Sequence, residues 1–169
     1  LARGDRVFAA CRNPSGAADL AALADRSDGR CHVLPLDVED ERQIAAAASA
    51  LRERADRLDL LIHNAATLPA SRAGLAGLSG EDLLRCFRVN VVGPLLLTRA
   101  LRDMLAAAAR AVVLCLCSRV GVARPHVGEG AQSYGYGMSK AALHRAVGPL
   151  AAELKAHGVL VAGMDPGWV

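Results

Sequence analysis

What most constrains this chain is a recurrence. Strand-length apolar runs appear at Arg6 to Cys11 (RVFAAC), Cys31 to Leu36, Leu58 to His63 (LDLLIH), Ala111 to Cys117 (AVVLCLC) and Val159 to Met164 (VLVAGM). Helix-forming stretches separate them: one from about Gly16, one from Glu39 to about Arg57, a long one from about Glu81 to Ala109 containing Gly93-Pro94, and one carrying Tyr136. Runs that are apolar throughout need burial on both faces, and parallel neighbours need a crossover long enough to hold a helix. Alternation of the two predicts a doubly wound α/β domain with a parallel sheet.

Such a sheet places ligands at the carboxyl ends of its strands. The residues following the successive runs are Arg12, then Asp37-Val38, then Asn64-Ala65-Ala66, then Ser118, then Pro166-Gly167. Polar or backbone-exposing residues therefore recur at one edge, where a single extended ligand could reach them all.

Composition removes several classes of function. The net charge of +3 comes from arginines scattered among carboxylates, and aromatics are only 3%, so neither the basic run nor the stacking residues of a nucleic-acid binder are present. No apolar run approaches the roughly 20 residues of a membrane helix. The five cysteines form an odd set without a CxxC pair, and no secretory signal is evident, which points to a reducing cytoplasm rather than to disulfides or zinc. Cys115 and Cys117 share one strand face and read as small buried hydrophobes, with no metal expected.

Both tyrosines and one of the two lysines crowd into SYGYGMSKAAL, Ser133 to Leu143. On a helix, Tyr136 and Lys140 lie one turn apart on the same face, whereas Tyr134, six positions from the lysine, faces elsewhere and suits a substrate wall or packing. A free phenol titrates near ~10, so acid–base work near neutrality asks for roughly 4 kcal/mol of preferential phenolate stabilisation. A cation ~4 Å away supplies about 1 kcal/mol in water and about 4 kcal/mol at an effective dielectric near 20, so the pair works only in a partly dry site. The alternatives are an exposed helical pair for Tyr136 and Lys140, helix packing for Asn90, turn formation for Ser118, and a solvated turn residue for Arg12.

Over essentially its whole length the chain resembles the short-chain dehydrogenase/reductase family. The resemblance rests on Leu36-Asp37-Val38, the HNAA of His63 to Ala66, RVNVVGP with Asn90, CSRVG with Ser118, YGMSK from Tyr136 to Lys140, and DPGWV from Asp165 to Val169, in the family's order. The Ser-Arg-Val-Gly and Tyr-x-Tyr details look most like C-factor and sniffer-type carbonyl reductases. The resemblance implies a Rossmann-like NAD(P)-binding domain over residues 1–169 and a catalytic set of Asn90, Ser118, Tyr136 and Lys140. Tyr136 would deliver the proton, Lys140 would also hold the nicotinamide ribose, Ser118 would hydrogen-bond the substrate carbonyl and Asn90 would position a relay water. Cofactor contacts would come from Arg12, Asp37, Val38, Asn64, Ala65, Ala66, Lys140, Pro166, Gly167 and Val169.

NAD-preferring relatives carry an acidic residue at the end of the first run, where this chain has Cys11 followed by Arg12. A guanidinium beside a neutral residue suits a 2′-phosphate, so NADP(H) is expected over NAD(H). Asp37 is also placed to cap the helix starting near Glu39.

Two departures accompany the resemblance: Ala66 stands where the family has glycine, and the segment between Ser118 and Tyr136 is longer than in most members. The family's opening strand with its glycine-rich turn, and its C-terminal end, have no counterpart, so the sequence reads as an interior fragment with impaired cofactor binding and turnover. Loss of the central strand would leave two facing edges unless the flanking strands pair directly. The expected activity is hydride transfer between a nicotinamide cofactor and a small ketone, aldehyde or alcohol, in a homo-oligomer (dimer or tetramer) formed through the helices at Glu81 and Tyr134. The alternative is a non-catalytic truncated domain acting in signalling or subunit association.

Overall fold

A computed structural model of the chain describes residues 4–69, 74–121 and 134–167. The strands are β1 (Val7–Cys11), β2 (Cys31–Pro35), β3 (Leu60–His63), β4 (Ala111–Leu116) and β5 (Val159–Met164). The helices are α1 (Ala18–Asp25), α2 (Glu41–Arg52), α3 (Gly80–Phe87), α4 (Gly93–Ala106) and α5 (Tyr134–Leu154). Every strand pair is parallel, which makes this the α/β architecture that the alternating pattern predicts.

Local chemistry sets the helix ends. Helix α2 begins two residues later than expected because Asp40, not Asp37, caps it, accepting from Arg42 N at 2.8 Å and Gln43 N at 3.4 Å. Asp37 instead closes its own turn, its Oδ1 accepting from Glu39 N at 3.0 Å. The single long helix expected from Glu81 is two helices joined by a π-helical turn, Arg88–Val92, which rotates Asn90 inward. Ser79 caps α3 through Asp82 N.

The sheet is divided. Strands β1 and β2 pair from Val7↔Cys31 to Cys11↔Pro35, while β3, β4 and β5 form a separate sheet in which Leu61, Val113 and Val161 lie abreast. Between the facing edges of β1 and β3 lies a slot of about 1380 Å³. Of the two outcomes open to such edges, the strands remain apart rather than closing up.

Contacts around the slot hold the two halves in place. At one end, Arg6 Nη1 donates to Arg54 O at 2.5 Å, and the Arg52 guanidinium donates to Ala100 O, tying α2 to α4. A Cβ on Gly93 would stand 2.7 Å from Val38 O, so α4 approaches the β2 side at a distance only glycine permits. Ala47, Ala48 and Leu51 of α2 join Leu97, Leu101 and Leu105 of α4 in one buried core.

Helices α4 and α5 cover the face of β3–β4–β5 that carries Leu61, Val113, Cys115 and Val161, all buried. Because side chains alternate along a strand, Leu60, Ile62 and Leu160 point the opposite way and are 48%, 49% and 61% exposed.

Candidate active site

The loops at the carboxyl ends of β1, β2 and β3 converge on the mouth of the slot. Arg12, Asp37, Val38, Asn64, Ala65 and Ala66 all line it, bringing together three stretches that lie far apart in sequence. Gln43 Oε1 accepts from Asp37 N at 2.9 Å, so the first turn of α2 steadies this loop. Asn64, Ala65 and Ala66 are exposed and offer backbone as well as side chain. With Arg12 exposed and Cys11 neutral, the mouth has a cation and no carboxylate at the end of β1. That donor set fits the phosphorylated adenosine end of a dinucleotide.

A second group gathers around the start of α5. Lys140, only 3% exposed, donates from Nζ to Leu116 O at 2.6 Å, and its Nζ lies 5.7 Å from the centre of the Tyr136 ring. Burial holds the Lys140 ammonium below its ordinary pKa. Burial also pushes the Cys115 thiol up to about 11, so it stays protonated near neutrality as a packing residue.

Ser118 follows β4, and its Oγ accepts from Val120 N at 3.3 Å, so it has a turn-forming role in addition to any it has in chemistry. Three residues later, a Cβ on Gly121 would stand 2.5 Å from Ala141 N and 2.6 Å from Lys140 C. The turn carrying Ser118 is thus pressed directly onto the backbone of α5 beside Lys140.

Pro166 and Gly167 extend from β5 and do not line the slot; the residue before them reaches the Ser118 turn instead. Asp165 makes that connection. Its Oδ2 pairs with Arg119 Nε at 2.9 Å, and its Oδ1 accepts from Gly167 N at 3.0 Å, where φ is +82°. Val169 and the stretch 122–133 between Ser118 and Tyr136 lie outside the described residues.

Asn90 links the two groups. Its Oδ1 accepts from Thr67 N at 2.7 Å, while Nδ2 donates to Thr67 O at 3.1 Å and to Ser139 Oγ at 2.9 Å. Both amide hydrogens are therefore committed, leaving only an Oδ1 lone pair for the expected relay water. Thr67 and Ser139 were not among the site residues expected from sequence. The only hint was the position of Ser139 immediately before Lys140.

Deeper in the fold, His63 Nε2 lies 2.7 Å from Thr98 Oγ1, whose own hydroxyl donates to Pro94 O at 2.8 Å. The proton between His63 and Thr98 must then sit on Nε2. Burial lowers the His63 pKa to about 4.

The family model described as Enoyl-(Acyl carrier protein) reductase matches residues 1–169. A rhamnolipid-biosynthesis 3-oxoacyl-[acyl-carrier-protein] reductase of Pseudomonas aeruginosa is 31% identical over 167 residues, covering 99% of this chain and 64% of that protein. The C-signal protein of Myxococcus xanthus is 35% identical over 112 residues, covering 66% of each. Among solved structures, an NADPH-bound carbonyl reductase from chicken fatty liver superposes with a TM-score of 0.91 at 31% identity, covering 97% of this chain and 69% of that one. The chain spans 49% to 66% of the length of the first curated relatives it matches.

Proposed function

Since this chain belongs to the short-chain dehydrogenase/reductase family of oxidoreductases, we propose that its protein reduces a ketone or aldehyde, or oxidises the corresponding alcohol, with NADP(H). The observation that carries this reading is the pairing of a half-buried phenol, Tyr136, with a buried ammonium, Lys140, whose Nζ is anchored on Leu116 O. A bound nicotinamide would supply or accept the hydride, and this chain's residues would manage the proton.

In the reducing direction Tyr136 gives its phenolic proton to the carbonyl oxygen, and Ser118 donates a hydrogen bond to that oxygen. Lys140 stabilises the phenolate left behind, an effect strengthened by the low exposure of its head group. Asn90 holds its own turn against α5 and accepts from any relay water through Oδ1. When the cofactor is bound, Arg12 would hold the 2′-phosphate, Asp37 and Val38 the adenine, Asn64, Ala65 and Ala66 the cofactor's middle, Lys140 the nicotinamide ribose, and Pro166 and Gly167 the nicotinamide. The NADPH bound to the chicken carbonyl reductase supports the phosphorylated cofactor.

Exposed Leu84 on α3 with Tyr134 and Met138 on α5 supports homo-oligomer formation through those helices. The open slot between β1 and β3 favours a second reading, a non-catalytic domain serving in signalling or subunit association. One comparison tests the first reading: wild type against Tyr136→Phe, in the protein as its gene encodes it, assayed by NADPH consumption over a panel of ketones and aldehydes. The variant should lose ~10²-fold to 10⁴-fold in kcat. Normal turnover by Tyr136→Phe would end the assignment, and absence of NADPH binding by wild type would favour the second reading.

A further inference from the structure

Among the described residues, a buried hydroxyl outside the expected catalytic set, Ser139, is hydrogen-bonded to a member of that set, Asn90. Ser139 and Asn90 are both fully buried at 0% exposure. Ser139 Oγ donates to Tyr136 O at 2.9 Å and accepts from Asn90 Nδ2 at 2.9 Å. Because Tyr136 O can only accept, the hydroxyl proton points toward it, and the Asn90 group facing Ser139 must be the amide nitrogen. The same orientation follows independently at the other end of the side chain, where Thr67 N can only donate and therefore faces Oδ1. Two constraints from different elements thus agree on one arrangement, and every hydrogen bond in it is satisfied.

We propose that Ser139 is a positioning residue that sets the first turns of α5, and with them Tyr136 and Lys140, against the loop following β3. This inference rests on the oxidoreductase reading. The connected path runs from Thr67, next to the Asn64–Ala66 stretch at the slot mouth, through Asn90 in the π-helical turn, to Ser139 and the backbone of Tyr136. It spans separations of 23 and 49 residues in sequence, and it ties the loop assigned to the cofactor to the helix assigned to proton transfer. Ser139 touches neither substrate nor cofactor in this scheme. It acts by fixing the height and rotation of the Tyr136 backbone relative to that loop.

Removing the hydroxyl frees one Asn90 N–H in a site closed to water, and the amide must turn or shift to find another acceptor. A displacement near 1 Å between reacting groups is worth up to about 100-fold in rate. Ser139→Ala should therefore lower kcat by ~10-fold to 100-fold, with a smaller change in KM, and should shift the pH profile of kcat because the surroundings of Tyr136 move. Hydrogen exchange should speed up at the Thr67 amide, which Asn90 alone would no longer hold in place.

Thr98→Val, which disturbs a buried hydroxyl outside this path, controls for general loss of stability. It should lower the melting temperature while leaving kcat and its pH profile near wild type. Ser139→Thr, which keeps an acceptor and donor at the same atom, should recover most of the rate. The proposal is overturned if Ser139→Ala keeps wild-type kcat, pH profile and Thr67 exchange, or if Thr98→Val at matched stability reproduces its kinetic defect. Failure of the oxidoreductase reading looks different: Tyr136→Phe retains activity, or wild type has none, while the Thr67 exchange still responds to Ser139→Ala.

Discussion

Acidification should selectively weaken this fold through His63. The ring is 6% exposed, its Nε2 is committed to Thr98, and burial lowers its pKa from 6.5 to about 4. In the unfolded chain the same ring takes up a proton as pH falls through about 6.5. Between those values the unfolded state binds more protons than the folded one, so stability present above the unfolded pKa is lost on the way down to the folded pKa. A difference of about 2.5 units at ~1.36 kcal/mol per unit amounts to about 3 kcal/mol by pH 4.

Carboxylates also titrate over this range, so the test is a double difference. Urea unfolding of wild type and His63→Gln should be compared at pH 7 and pH 4, the glutamine amide retaining a donor for Thr98 without a titrating ring. At pH 7 the variant should be the less stable of the two, through imperfect packing. On moving to pH 4, wild type should lose about 3 kcal/mol more than the variant. An equal pH dependence in both proteins would refute the argument from burial.

Other consequences can be checked separately. Gly121→Ala would put a methyl 2.5 Å from Ala141 N, against normal contacts of ~3.5 Å or more, so the Ser118 turn must lift from α5. Its catalytic rate should fall ~10-fold or more while far-UV circular dichroism stays unchanged, and full activity would show that the turn can move freely. Arg12→Glu should weaken NADPH binding ~10-fold to 100-fold and leave NADH binding nearly intact, as read by fluorescence titration; equal losses for both would remove Arg12 from the 2′-phosphate. The 169-residue polypeptide on its own, with the slot between β1 and β3 open, should bind NADPH weakly and turn over little, and tight binding in the same titration would contradict this.

How far the sequence could be read depends on the range of the interaction concerned. Strand β5 occupies the expected Val159–Met164, and β1, β2 and β4 depart from their expected bounds by one residue, because apolar runs flanked by turn residues are local signals. Helix ends were harder to place. Asp37 and Asp40 offer the same capping chemistry, and only the path of the chain out of β2 gives the cap to Asp40. The π-helical turn at Arg88–Val92 had no signal of its own beyond Gly93-Pro94, since what surrounds Asn90 there comes from Thr67 and Ser139.

The spacing of Tyr136 and Lys140 was readable for the same reason as the strands: four residues is one helical turn, whatever surrounds the helix. Where the lysine's charge goes was not readable, because Leu116 lies 24 residues earlier and only packing of α5 beside β4 brings its carbonyl within reach. By itself, then, the amino-acid order determined the alternation of elements, the residue types at each strand end and the phenol–ammonium pair. The tertiary structure alone decided that β1 and β3 stand apart, that Asp165 pairs with Arg119 of the Ser118 turn while Pro166 and Gly167 stay off the slot, and that Ser139 and Thr67 share the amide of Asn90. The physical reason is that periodicity and capping act over a few residues, while buried hydrogen bonds and strand edges find their partners only after distant segments have packed.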